Sequence, residues 1–227
     1  MNILAIDTSS AACVIGVEFG GRWDSNVRMS GRSHSRDILP TITALLTKNN
    51  LSLRNLNYIV YGQGPGSFTG LRIAVGVVQG LAFGLNIPVV PVSSLACLAQ
   101  AQYRRSGQQQ IVSALHARKE EVYLGIYKVQ HHIARIVTAE TVTDVRNIKQ
   151  KLDGDWVGAG DGWILREQLE AAFDTHMTRV ETDVHPEPDA LLDLGIDGIK
   201  SGRTIRAVDA RPEYLREEVA SLPGKKQ

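Results

Sequence analysis

The chain has 227 residues, of which 43% are hydrophobic and 22% charged, a composition typical of a globular protein that can bury a sizeable core. Its formal net charge of +1 gives no sign of a polyanionic partner. It begins without the basic segment of a signal peptide, no stretch is predicted to be long enough to span a membrane, and its two cysteines lie in apolar surroundings. We therefore expect a cytoplasmic protein of one large or two small domains.

The first 50 residues predict three strands and one helix. The strands are expected at 2–6, 12–19 and 22–29, with a hairpin signal at Gly20-Gly21. The turn at 7–10 has the sequence Asp-Thr-Ser-Ser, which suits either an ordinary Asx-type turn or a loop that faces a phosphate. An apolar stripe predicts a helix over 33–50, with its regular part starting near Asp37, because Pro40 would then lack only an N–H that has no intrahelical partner.

A glycine-rich strand–loop–helix unit at 58–85 dominates the rest of the chain. An apolar strand at 58–61 is followed by a loop with three glycines, and Ser67 is the expected N-cap of a helix that ends near Leu85. Such loops can bind phosphate, but here no Lys follows the last glycine as in a P-loop. A tight turn that leads into a closely packed helix is the favoured interpretation.

The helix is too apolar for one that lies on a solvated surface. Arg72 is its only charge, whereas a surface helix normally has a charged face. At 100° per residue, a face rich in small residues is expected to pack on a sheet; it consists of Gly70, Ile73, Ala74, Val77, Gly80, Leu81 and Gly84. The opposite face is then either buried in the same domain or covered by another chain; it consists of Thr69, Arg72, Val75, Gly76, Gln79 and Phe83.

The second half predicts a further α/β unit. A strand at 87–92 and a helix that is capped by Ser93 or Ser94 and ends at Tyr103 complete an N-terminal lobe, residues 1–103. A polar segment at 104–110 is the expected connector to a C-terminal lobe, residues 111–227. In that lobe, strands are predicted at 111–116, 121–129, 133–139 and 156–159, helices at 142–152, 163–173 and 188–201, and an extended tail at 203–227.

Motifs for metal binding or nucleophilic catalysis are missing from the sequence. It contains no His-Glu-x-x-His, His-x-x-x-His, Cys-x-x-Cys or Gly-x-Ser-x-Gly pattern. The adjacent His131 and His132 would point to opposite sides of an extended segment. The strongest functional signal is therefore a candidate interface, and neither a catalytic nor a metal site is predicted.

Several segments resemble the bacterial TsaB (YeaZ) family. The most specific is Gly-Gln-Gly-Pro-Gly-Ser-Phe-Thr-Gly-Leu-Arg-Ile at 62–73. Others are Ile-Leu-Ala-Ile-Asp-Thr-Ser at 3–9, His34 with Ile-Leu-Pro at 38–40, Pro-Val-Ser-Ser-Leu at 91–95 and Pro-Glu-Tyr-Leu-Arg at 212–216. The resemblance extends over essentially the whole chain.

This resemblance implies a two-lobed α/β fold of the actin-like, sugar-kinase and heat-shock-ATPase (ASKHA) class with a degenerate nucleotide site. It also implies a non-catalytic role in making N6-threonylcarbamoyladenosine at position 37 of tRNAs that read ANN codons. In that family the chain pairs with the catalytic paralogue TsaD, or with a second copy of itself, and the ATPase TsaE joins them. ATP is used by the partners, and this chain is expected to bind no cofactor or metal.

The family pairs through its first two helices, which implies an interface made of Ile42, Leu46, Thr69, Arg72, Val75, Gly76, Gln79 and Phe83. Relics of phosphate loops are expected at Asp7, Thr8, Gly64, Gly66 and Ser67. The His-x-x-x-His motif of TsaD is absent, because the residue four positions after His34 is Ile38. His116 stands where many relatives have Asp.

The alternative function is a stand-alone ATPase or phosphotransferase of the same superfold. A peptidase is discounted, because the sequence lacks both the metal ligands and the nucleophile–base pair that a peptidase needs.

Overall fold

The computed structural model describes residues 1–29 and 33–215 and contains two five-stranded sheets. The first sheet has the order β3-β2-β1-β4-β5, and its strands are β1 (Asn2–Asp7), β2 (Ala12–Phe19), β3 (Arg22–Met29), β4 (Tyr58–Gly64) and β5 (Val89–Ser93). The second has the order β8-β7-β6-β9-β10, and its strands are β6 (Gln110–Arg118), β7 (Glu121–Gln130), β8 (Ile133–Asp144), β9 (Val157–Ala159) and β10 (Arg179–Glu181).

The two sheets repeat one topology. In each, the first three strands form an antiparallel meander, and the fourth and fifth strands run parallel to the first. The duplicated order confirms the predicted two-lobed fold of the actin-like, sugar-kinase and heat-shock-ATPase class.

Five α-helices in the described residues complete a stack of alternating layers. They are α1 (His34–Lys48), α2 (Phe68–Leu85), α3 (Ser94–Ser106), α4 (Arg166–Phe173) and α5 (Pro188–Lys200). Helices α1 and α2 cover the outer side of the first sheet, α3 and α5 lie between the sheets, and α4 covers the outer side of the second. Alternation along β1 explains this arrangement, because Ile3 and Ala5 face α5 whereas Leu4 and Ile6 face α1 and α2.

Two predicted helix starts are confirmed. The Ser67 hydroxyl accepts a hydrogen bond from the Gly70 amide at 3.2 Å and caps α2. The Ser93 hydroxyl accepts from the amides of Leu95 and Ala96 at 3.1 and 3.3 Å and caps α3. Each serine thereby satisfies N–H groups that a helix cannot satisfy by itself.

The predicted helix at 142–152 is wrong. Strand β8 continues to Asp144, and a short 3₁₀ turn follows at Val145–Asn147. The β-branched run Thr-Val-Thr at 141–143 pairs with β7, where branched side chains pack well. The tertiary pairing thus overrides a weak helical pattern.

Helix α1 lies within the predicted range 33–50, but it is regular from His34, three residues before the predicted start of its regular part near Asp37, and it therefore contains Pro40. Pro40 is exposed, so the carbonyl of Arg36, which loses its intrahelical donor, lies on the side of the helix that faces water. This position reduces the cost of a proline inside a helix.

Residues 203–215, here called the return segment, run back over the first lobe. This part of the predicted tail is extended apart from a 3₁₀ turn at Ala207–Asp209, and it packs against the first lobe. Ile205 exchanges two backbone hydrogen bonds with Val89, at 2.8 and 2.9 Å. Ala207 and Ala210 are buried under α2, and the amide of Glu213 donates to the carbonyl of Gln63 at 2.7 Å. The remainder of the predicted tail, 216–227, lies outside the described residues.

Helix α2 is long and apolar enough to cross a membrane by length and composition, which corrects the expectation that no stretch is. Buried core helices of soluble proteins share this length and composition. In the structure the inner side of α2 packs on the first sheet through Leu71, Ala74, Val75, Val78 and Ala82.

Candidate functional sites: the cleft between the sheets and the outer face of α2

Asp7, at the end of β1, is fully buried. Its Oδ1 atom accepts hydrogen bonds from the amide and the hydroxyl of Ser9, both at 2.7 Å, and within the described chain its Oδ2 atom has no partner. A Cβ built on Gly62 would lie 1.7 Å from Oδ2. Burial raises the pKa of the Asp7 carboxyl, and the hydrogen bonds from Ser9 oppose this only in part.

The predicted phosphate loops are brought together, but they pack on each other. The Ser67 amide donates to the Ser9 carbonyl, and the Thr8 hydroxyl donates to the Gly70 carbonyl, both at 2.7 Å. A Cβ on Gly70 would lie 1.9 Å from the Thr8 carbonyl oxygen. The first turn of α2 is therefore locked against the β1–β2 turn, and glycine is required there for backbone contact with the protein itself.

A cleft of about 390 Å³ between the two sheets adjoins these loops. The first lobe lines it with Ser9, Ser10, Ser67 and Ser94, and the second with His116, Asp161 and His185. The His116 amide donates to the Asp161 carboxylate at 2.8 Å, which fixes the Gly-Ala-Gly-Asp-Gly loop at 158–162 against β6. Sequence reasoning missed Ser94 and His185 as cleft residues, because only the tertiary fold brings them to the cleft.

Metal chemistry finds little support in the part of the chain that the structure describes. No group of three or more His, Cys, Asp or Glu residues there is placed to hold an ion. His34 lies with its Nε2 atom 3.1 Å from the Ser10 carbonyl oxygen, so its ring joins α1 to the β1–β2 turn.

The structure divides the predicted interface residues into two groups. Ile42, Leu46 and Val75 are at most 6% exposed and belong to the core between α1, α2 and the first sheet. The Gln79 side chain is half-buried and donates to the Ala210 carbonyl at 2.8 Å. These four residues therefore contribute to the chain's own packing, and we leave them out of the candidate interface.

The remaining predicted residues lie outward, together with glycines that were expected to face the sheet. The resulting surface, here called the glycine face, consists of Thr69, Arg72, Ile73, Gly76, Val77, Gly80, Phe83 and Gly84, all exposed or half-exposed. Gly76, Gly80 and Gly84 recur every fourth residue and so share one side of α2. A Cβ on any of the three would meet no atom within 4 Å.

The glycine face is an uncovered apolar surface. Its Phe83 ring is 72% exposed, and its one charge is Arg72. At its C-terminal end the face continues into a groove of about 640 Å³ between α2 and the return segment, where Val208 is also exposed. Exposed apolar surface of this kind marks protein-interaction sites, and a row of glycines lets another helix approach closely.

Comparisons with known proteins agree with one another. The sequence model of the family described as "TsaD: tRNA N6-adenosine threonylcarbamoyltransferase" matches residues 28–221. The tRNA threonylcarbamoyladenosine biosynthesis protein TsaB of Escherichia coli is 35% identical over 231 residues, which cover 99% of this chain and 100% of that protein. The protein of the same name from Haemophilus influenzae is 32% identical and covers 99% and 98%.

Two solved structures from Pseudomonas aeruginosa share the fold over nearly the full length. One is described as YeaZ, with a TM-score of 0.89 at 37% identity, covering 94% of this chain and 99% of that one. The other is described as an uncharacterized protein with similarity to peptidase YEAZ, with a TM-score of 0.90 at 37% identity, covering 95% and 99%.

Proposed function

Because the chain belongs to the TsaB (YeaZ) family, we propose that it acts in the biosynthesis of N6-threonylcarbamoyladenosine at position 37 of tRNAs that read ANN codons. Its part is that of a non-catalytic subunit that pairs with the catalytic paralogue TsaD and helps TsaE to dock. In the absence of TsaD it forms a homodimer, and it works in the cytoplasm. The cofactor ATP is used by its partners.

The glycine face carries this proposal. Burying an apolar helix face that has one charge removes apolar surface from water, worth about 25 cal/mol per Å² before the costs of association are subtracted. The glycines keep the two backbones close, so a partner helix can make dense van der Waals contact along Gly76, Gly80 and Gly84.

The locked phosphate loops support a subunit without its own catalysis. The Asp7 carboxylate is buried under Gly62, and the first turn of α2 is packed on Thr8 and Ser9. The alternative, a stand-alone ATPase or phosphotransferase, would use the cleft between the sheets. ATP turnover by the isolated chain, abolished by changing a cleft residue such as Asp161→Ala, would favour that alternative.

Gly80→Trp tests the pairing surface. An indole at position 80 has free space in the isolated chain but would hold a partner helix away. Light scattering of the chain alone and mixed with TsaD from the same organism should show a folded monomer that no longer binds TsaD. Gln168→Trp, on the exposed side of α4 at the far side of the molecule, is the matched control and should pair normally. Normal pairing of Gly80→Trp would contradict the proposal.

A further inference from the structure

Arg72 lies in a cluster with two aromatic rings at the N-terminal end of the glycine face. Its guanidinium carbon is 3.5 Å from the centroid of the Phe68 ring and 5.9 Å from that of Tyr214. The two ring centroids are 6.1 Å apart. The ring faces attract the cation, so the return segment, which supplies Tyr214, helps to fix the orientation of Arg72.

The hydrogen-bonding groups of Arg72 are unused within the described chain. The side chain is exposed, and no hydrogen bond or ion pair joins it to any residue that the structure describes. The rings hold the guanidinium in place without using its N–H donors, and a guanidinium with free donors can bind a carboxylate through two parallel hydrogen bonds. A partner that covers the glycine face would remove water from these donors and must supply an acceptor in its place.

A pocket of about 260 Å³ lies beside the cluster and joins both lobes to the return segment. Its walls are mainly apolar and aromatic and include Pro65, Leu71, Ala117, Tyr123, Tyr214 and Leu215. Phe68 and Tyr214 are 46% and 41% exposed. An arginine with tyrosine beside a pocket is the combination found at the energetic centres of protein interfaces.

We propose that Arg72 pairs with an Asp or Glu carboxylate of the TsaD-type partner, and that an apolar side chain next to this carboxylate enters the pocket. The inference rests on the proposed pairing through the glycine face and names the group that the partner must present there. The charges around the pocket favour a single carboxylate over a polyanion such as RNA. Arg72 and Arg118 are balanced by Glu121, which pairs with Arg118 at 3.0 Å, and by Glu213.

The test measures the affinity of the full chain for TsaD from the same organism by calorimetry. Arg72→Glu should weaken binding at least about 100-fold, because two carboxylates would then meet where water is excluded. Arg72→Lys should weaken it about 10-fold, since lysine keeps the charge but loses the planar donor pair. Arg54→Glu makes the same charge change in an exposed 3₁₀ turn that precedes β4, whereas Arg72 follows β4, and it should bind as the wild type does.

A charge swap identifies the partner group. Arginine replaces each carboxylate on the pairing side of TsaD in turn, and one such variant should restore binding to Arg72→Glu. Wild-type affinity of Arg72→Glu, together with loss of pairing in Gly80→Trp, would overturn this inference and leave the proposed pairing intact. If both variants pair normally, the proposed pairing surface itself fails. If Arg72→Glu binds TsaD with unchanged affinity but the assembled pair no longer binds tRNA, the inference is overturned in favour of a contact between Arg72 and RNA.

Discussion

At the scale of single residues, Asp7 matters because it is an ionisable group that is fully buried beside the predicted phosphate loops. One of its oxygens holds Ser9, and the other lies against the backbone of Gly62 without a hydrogen-bond donor. Removal of water favours the neutral acid, so the pKa of Asp7 is raised in the folded chain. In a working phosphate site this carboxylate would need to reach the ligand or its metal.

The raised pKa makes the stability of the chain depend on pH. Between the unfolded pKa of about 4 and the higher folded value, the folded chain binds more protons than the unfolded chain, so the free energy of unfolding falls as the pH rises through this window. Asp7→Asn keeps the acceptor for Ser9 and cannot ionise. Urea unfolding should therefore show that the wild type loses more stability than Asp7→Asn between pH 4 and pH 8. Parallel pH profiles of the two proteins would contradict this explanation.

At the scale of the element, the glycines of α2 serve opposite purposes. Gly70 faces inward, where a Cβ would collide with the Thr8 carbonyl. Gly80 faces outward into open space, where glycine only lowers the stability of the helix. The same residue type thus permits backbone contact within the chain at one position and is available to a partner at another.

Alanine at positions 70 and 80 should therefore have opposite effects on the free energy of unfolding. We expect Gly70→Ala to lower the free energy of unfolding by about 3 kcal/mol, at the upper end of what overpacking costs. Gly80→Ala should raise it by up to ~1 kcal/mol, the difference in helix propensity between glycine and alanine. Urea unfolding of the two variants and the wild type measures both. A loss of stability in Gly80→Ala would show that position 80 is packed inside the chain.

The secondary-structure elements that could be predicted from the sequence are those that depend on neighbouring residues. The first three strands, the caps at Ser67 and Ser93, and the buried Cys13 and Cys97 follow from neighbouring residues, and all are confirmed. The orientation of α2 could not be read in this way. Its apolar residues lie on all sides of the helix, so their periodicity does not define an inner side. Gly80 and Gly84, which were predicted to pack on the sheet, lie outward.

At the scale of the whole molecule, α5 joins the lobes because it follows the second sheet in the chain yet packs on the first. A Cβ on Gly195 would lie 2.3 Å from the Val60 side chain, and one on Gly198 would lie 2.6 Å from that of Val90. Sequence patterns show that α5 has an apolar side but not which sheet covers it. The cleft and the pocket beside Arg72 were missed for the same reason, since residues from both halves of the chain form each of them.

We propose that this chain supports tRNA modification by pairing through the glycine face. The experiment measures the N6-threonylcarbamoyladenosine content of tRNA in cells whose only TsaB-family protein is the wild type, Gly80→Ala, Gly80→Trp or Gln168→Trp, each expressed to the same level. Wild type, Gly80→Ala and Gln168→Trp should sustain the modification, and Gly80→Trp should reduce it at least about tenfold, because its indole keeps TsaD away. Full modification with Gly80→Trp would contradict the claim.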